Sequence, residues 1–229
     1  MATTQQAIDT KYDYYLALRD EKLKALFSSA ILGWARQNGL NTFEAMTNYA
    51  GAISLIGENL STIKGVDFLL GLTQIDFSYN KLTDVGDLSG LSALEVIHLQ
   101  NNQLTDIGNV SGLKSLTELN VYNNQLTDIG ILSELTALTY LNVYNNQLTV
   151  VGDLSEHTAL TYLNLGANNL ETAQVDAALA NMHTAYDLSG KIATIDLHGT
   201  YMAIPTGGVN NADYVYLTNA GVSVTIRTA

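Results

Sequence analysis

The stretch Leu113-Lys114-Ser115-Leu116-Thr117-Glu118-Leu119-Asn120-Val121-Tyr122-Asn123-Asn124-Gln125-Leu126-Thr127-Asp128-Ile129-Gly130 decides how this chain folds. It returns 22 residues later as Leu135-Thr136-Ala137-Leu138-Thr139-Tyr140-Leu141-Asn142-Val143-Tyr144-Asn145-Asn146-Gln147-Leu148. Working outward at the same spacing, Leu60, Leu82, Leu104, Leu126, Leu148 and Leu170 fall in one column, and five consecutive units carry Leu-x-x-Leu-x-x-Leu-x-Leu-x-x-Asn-x-Leu. A strict period of this length predicts a solenoid, because a unit this small buries its apolar face only against its neighbours.

Each column has a local physical reading. Leu119 and Val121, two residues apart, place two side chains on the inner face of a short strand, with the residues beside them pointing outward. Stacked units then form a parallel sheet. The column Asn80, Asn102, Asn124, Asn146, Asn168 sits where the chain leaves the strand. An amide there satisfies backbone groups stranded by the turn, so we read the column as a structural ladder. The return side, 105–112 and its copies, is short and rich in glycine, which predicts tight turns or a 3₁₀ piece. Asp84, Asp106 and Asp128 repeat in those turns and are expected to cap turn amides rather than to bind calcium.

The pattern Leu-Thr-Asp-Ile-Gly, followed by Leu-Thr-x-Leu-x-Val-Tyr-Asn-Asn-Gln, resembles the 22-residue leucine-rich repeat of the internalin type found in bacterial proteins. The resemblance covers about residues 60–170. It implies an α/β leucine-rich-repeat solenoid with a parallel sheet on its concave face, used for protein binding or adhesion rather than catalysis. A cell-wall sorting motif and an immunoglobulin-like domain are not evident after the repeats, so a wall-adhesin role is not implied.

The reading divides the chain into a helical N-terminal cap (1–40), the repeats (41–170), and an enlarged last repeat with an α/β C-terminal cap (171–229). Residues 5–38 carry apolar side chains at helical spacing, among them Tyr12, Tyr15, Leu23, Phe27 and Trp34. Ile53 and Leu55 continue the strand columns backwards. After Asn169 the period lengthens: a helix is expected from Glu171 to Met182, and the strand columns resume at Ile192, Ile195 and Leu197. A helix over Asn210–Asn219 and a strand over Val222–Ile226 should close the sheet edge. The tail with Ile195-Asp196-Leu197, Pro205-Thr206-Gly207, Leu217 and Gly221-Val222-Ser223-Val224-Thr225 is weakly similar, over the last stretch 171–229, to the ends of phage tail and bacterial leucine-rich-repeat proteins.

Composition removes several function classes. The sequence has no cysteine, which excludes disulfides, thiolate metal sites and thiol catalysis. A formal charge of -12 with no basic cluster opposes nucleic-acid binding. No span is apolar enough to insert in a membrane. The opening Met1-Ala2-Thr3-Thr4-Gln5-Gln6 has no secretory pattern, so the chain is expected to be cytoplasmic when made, with a virion or cell surface reached by another route. No nucleophile elbow, phosphate loop or dinucleotide fingerprint occurs, and no histidine pair has metal-ligand spacing, so neither an enzyme nor a cofactor is expected.

Recognition is expected on the outward strand positions, which stack unit to unit at about 4.8 Å. One column runs Gln74, Val96, Glu118, Tyr140, Tyr162, Thr194; the next Asp76, His98, Asn120, Asn142, Asn164, Asp196; the third Ser78, Gln100, Tyr122, Tyr144, Gly166, His198. They bring Tyr122, Tyr140, Tyr144 and Tyr162 around Asn120, Asn142 and Asn164, with His98 and Glu118 beside them. Tyrosine gives large rigid contact area with a polar tip, and asparagine gives adaptable hydrogen bonds. A protein ligand is the first expectation and a glycan the second. The rival expectation is an assembly subunit, for instance of a virion or surface fibre, that forms homo-oligomers through its N-terminal helices.

Overall fold

The computed structural model describes residues 50–63, 66–130, 132–192, 194–197 and 211–226. The expected N-terminal cap, 1–40, and His198 lie outside the described residues.

Among the described residues eight strands form one parallel sheet in sequence order: β1 (Gly51–Ser54), β2 (Leu72–Asp76), β3 (Val96–His98), β4 (Glu118–Asn120), β5 (Tyr140–Asn142), β6 (Tyr162–Asn164), β7 (Thr194–Asp196) and β8 (Ser223–Thr225). Each of the central strands is only three residues long, since two outward positions flank a single inward one. From β2 to β7 the register is unbroken: Gln74, Val96, Glu118, Tyr140, Tyr162 and Thr194 are direct neighbours, as are Asp76, His98, Asn120, Asn142, Asn164 and Asp196. The solenoid and its strand columns stand where the 22-residue period put them.

The inward column, Ile75, Ile97, Leu119, Leu141, Leu163 and Ile195, is fully buried, and the leucines of the turns close the core from the opposite side. Burying one such side chain stabilises the fold by about 1.5–3 kcal/mol, and here the same contacts repeat along the stack. The return segments are turns in which an N–H reaches back three residues, as from Leu113 to the Val110 carbonyl (3.1 Å). A regular 3₁₀ helix occupies Val66–Phe68. Gly108 shows why these turns need glycine: it has φ +69°, and a Cβ there would lie 2.0 Å from the Gly86 carbonyl oxygen of the preceding unit. The aspartates cap as expected: the Asp84 carboxylate accepts from Gly86 N (2.7 Å), that of Asp128 from Gly130 N (2.8 Å), and that of Asp106 from Gly108 N.

The asparagine ladder satisfies the opposite turn. Asn124 Oδ1 accepts from Leu104 N (3.0 Å), while its Nδ2 donates to the carbonyls of Leu99 (3.0 Å) and Val121 (3.0 Å). Asn80, Asn102, Asn146 and Asn168 repeat the arrangement on their own neighbours. Each side chain thus joins two units through groups that would otherwise be buried without partners.

The enlarged unit holds helix α1 (Thr172–Ser189), which buries Val175, Ala178, Leu179, Met182 and Ala185. The helix runs seven residues beyond the sequence expectation of Met182, because apolar spacing continues to Ala185 and the first left-handed residue is Gly190 (φ 65°). Helix α2 (Ala212–Asn219) is capped by Asn211, whose side chain accepts from Asp213 N and Tyr214 N. β8 then pairs with β7 and occupies the edge of the sheet.

Candidate functional site

The tyrosines predicted from the columns come together on the outward strand face. Tyr140 and Tyr162, neighbours in register, stack with ring centroids 4.5 Å apart and planes 7° from parallel. Both are half-buried, as are Tyr122 and Tyr144, which lie two residues beyond the ends of β4 and β5 in the third column. Burial raises the Tyr140 phenol above its ordinary value; an Asn142 hydrogen bond opposes this, and the neighbouring Tyr162, Glu118 and Tyr122 raise it further.

The asparagines divide into two kinds. Asn142 is buried: its Oδ1 accepts from Tyr144 N (3.1 Å) and its Nδ2 donates to Tyr140 OH (3.3 Å). Asn164 does the same with Gly166 N (2.9 Å) and Tyr162 OH (3.2 Å). Both amides therefore tie a strand end to a tyrosine hydroxyl, and so fix how the rings stand. Asn120 is half-buried, and its Oδ1 has no hydrogen-bond partner among the described residues.

His98 sits between two carboxylates on the same face. Its Nε2 donates to Glu118 Oε1 at 2.8 Å, and its Nδ1 is 3.6 Å from Asp76 Oδ2. His157 replaces a core leucine and is fully buried, with Nε2 3.1 Å from the Leu132 carbonyl. Among the described residues no three histidine or acidic side chains form a group able to hold a metal, and no helix is long and apolar enough to cross a membrane.

Sequence reasoning missed Tyr79. It follows Ser78 of the third column, is 56% exposed, and its hydroxyl shares a 3.4 Å hydrogen bond with that of Tyr122, two units away. Its φ is +58°, in a column continued by Asn101, Asn123, Asn145 and Ala167, all with positive φ. Asparagine tolerates that conformation, whereas a bulky aromatic is strained in it. The amides of that column chain together, Asn145 donating to Asn123 (2.7 Å) and Asn123 to Asn101 (2.9 Å), and the chain stops at Tyr79, leaving Asn101 Nδ2 without a partner among the described residues. The signal in the sequence was a tyrosine standing one unit before three successive asparagines in this column.

Comparison with known proteins agrees with the geometry. The family described as leucine-rich repeats (two copies) matches three overlapping windows, 70–112, 92–135 and 114–156. The repeats are leucine-rich repeats. No curated protein matches the chain in sequence. Among solved structures, internalin C2 of Listeria monocytogenes is similar at 20% identity and a TM-score of 0.61, over 84% of this chain and 90% of that protein. A Leptospira interrogans leucine-rich-repeat protein is similar at 20% identity and a TM-score of 0.54, over 76% of this chain. This chain spans 47% of the length of that Leptospira protein. The plant peptide hormone receptor RGFR1, solved in complex with RGF2, shares 17% identity over 82% of this chain and 30% of its own, with a TM-score of 0.56. At these identities the likeness is one of fold.

Proposed function

We propose that this leucine-rich-repeat solenoid is a non-enzymatic recognition module that binds a protein ligand on its outward strand face, with Tyr122, Tyr140, Tyr144 and Tyr162 as anchors. The observation that carries the reading is the tyrosine cluster itself. Four half-exposed aromatic side chains are gathered on one face, and buried Asn142 and Asn164 hold two of their hydroxyls. Rigid aromatics pre-positioned by buried polar groups lose little freedom on binding, which is where interface energy concentrates. Asn142 and Asn164 act in this reading by positioning the rings, while Asn120, Glu118 and His98 supply polar contacts around them. Leucine-rich repeats generally serve protein recognition rather than catalysis, and the peptide hormone receptor of similar fold was solved in complex with RGF2.

The test is selection of displayed protein fragments against the wild-type chain and against Y122A/Y140A/Y144A/Y162A, with thermal midpoints measured for both. Clones retained by the wild type and lost by the folded variant support the reading. Clones retained equally by both remove this face from consideration.

A further inference from the structure

Resting on that reading, the sign of charge on the same face narrows the partner. The lysines among the described residues are Lys81, Lys114 and Lys191, and none lies on a strand; arginine does not occur among them. The outward positions instead hold Asp76, Glu118 and Asp196 within the strands, and the exposed Glu95 immediately precedes β3. The tyrosines stand among these acids: Tyr140 has Tyr162 stacked on one side and Glu118 as its register neighbour on the other.

A second observation is Tyr79. Placing an exposed aromatic at φ +58°, at the position where the next three units use asparagine, ends an amide chain and leaves Asn101 Nδ2 without a partner among the described residues. Local strain of this kind persists where function holds it. What the chain gains is a ring whose hydroxyl meets Tyr122, extending the aromatic surface two units towards the start of the array, where Ile56 is also exposed.

We propose that the partner presents a cationic, extended segment whose arginine or lysine side chains lie against Tyr79, Tyr122 and Tyr140 and pair with Glu118 and Glu95. A guanidinium is planar and would stack on an aromatic face such as that of Tyr140, whose register neighbour opposite Tyr162 is Glu118, and would offer paired N–H donors to the Glu118 carboxylate. The Glu118 oxygen not engaged by His98 accepts one of these. The overall charge of -12 steers such a segment to the protein, and among the described residues no lysine or arginine lies on the strands to repel it.

The test uses short synthetic peptides of alternating Arg and Gly, Glu and Gly, or Ser and Gly, titrated into the full chain with tyrosine ring signals followed by NMR. The Arg-Gly peptide is expected to move the rings of Tyr79, Tyr122 and Tyr140, and E95Q/E118Q to weaken it by about fivefold or more. E134Q/E156Q removes the same charge from exposed turns off the strand face and is expected to leave affinity within about twofold. Equal weakening by both pairs, or rings that do not move, overturns the proposal. The display selection separates the two ideas. Clones that need the tyrosines but are acidic, neutral or glycan-bearing overturn the cationic partner and keep the face, whereas clones indifferent to the tyrosines overturn both.

Discussion

Asn142 and Tyr140 are two residues apart on one strand, and the buried Asn142 amide donates to the Tyr140 hydroxyl at 3.3 Å while Tyr162 stacks on the same ring. The orientation of the aromatic face is thus set from below by an asparagine and from the side by a second tyrosine.

Removing the stacked partner should be measurable in stability and in titration. Y162A is expected to destabilise the solenoid by about 1 kcal/mol in urea unfolding. The Tyr140 phenol is raised in the folded state, chiefly by burial, so the folded chain keeps a proton that the unfolded chain releases. Stability from this group is present below the unfolded value near 10 and is lost as pH rises through the folded value. Y140F should flatten that alkaline decline.

The ladder gives a larger effect. N124A leaves the Leu104 N–H and the carbonyls of Leu99 and Val121 without the amide that joins them, and is expected to destabilise by roughly 2–4 kcal/mol. Denaturant titration of N124A beside the surface variant Q125A, whose side chain is exposed, isolates the buried bonds from any general loss at that turn.

His157 predicts an acid-side weakness. Burial lowers its basicity, which its hydrogen bonds to Leu132 and Leu154 oppose. Between the folded value and the ordinary value near 6.5 the unfolded chain binds the extra proton, so stability is full above about pH 6.5 and falls as pH drops. H157L restores the leucine carried by the equivalent positions Leu113 and Leu135, and the Leu132 carbonyl keeps its bond from Leu135 N (2.8 Å). The variant should be more stable by about 1–2 kcal/mol near neutral pH and should lose that part of the acid slope.

Two glycines with nearly the same φ separate backbone strain from stacking. Gly108 (φ +69°) faces the Gly86 carbonyl, whereas nothing lies within 4 Å of a Cβ built at Gly130 (φ +67°). G130A is expected to cost about 1 kcal/mol, the conformational term alone. G108A adds a clash with the preceding unit and should cost about 2–4 kcal/mol, read from the two unfolding midpoints.

Much of this architecture was legible because its two periods are independent and strict. Twenty-two residues between copies determined that Glu118 lies beside Tyr140 and Asn120 beside Asn142, and alternation within a strand determined that these residues face outward. The division of labour among the asparagines was less accessible. Asn120, Asn142 and Asn164 share a column, yet the amides of Asn142 and Asn164 are used internally, and that depends on where tyrosine hydroxyls reach in three dimensions. Tyr79 was missed because the column that it shares with Asn101, Asn123 and Asn145 shows its positive φ only in three dimensions, so a tyrosine there gave no warning from residue type alone, and α1 outran its expected end because the stop at Gly190 lies beyond the apolar residues that suggested the helix.

The most direct measurement is a single binding titration of the tightest display-selected clone, as purified peptide, against the wild type and Y122A/Y140A/Y144A/Y162A, each shown to be folded. The account predicts a loss of affinity of about a hundredfold or more, since four aromatic anchors are removed together. Affinity retained within about threefold would contradict it.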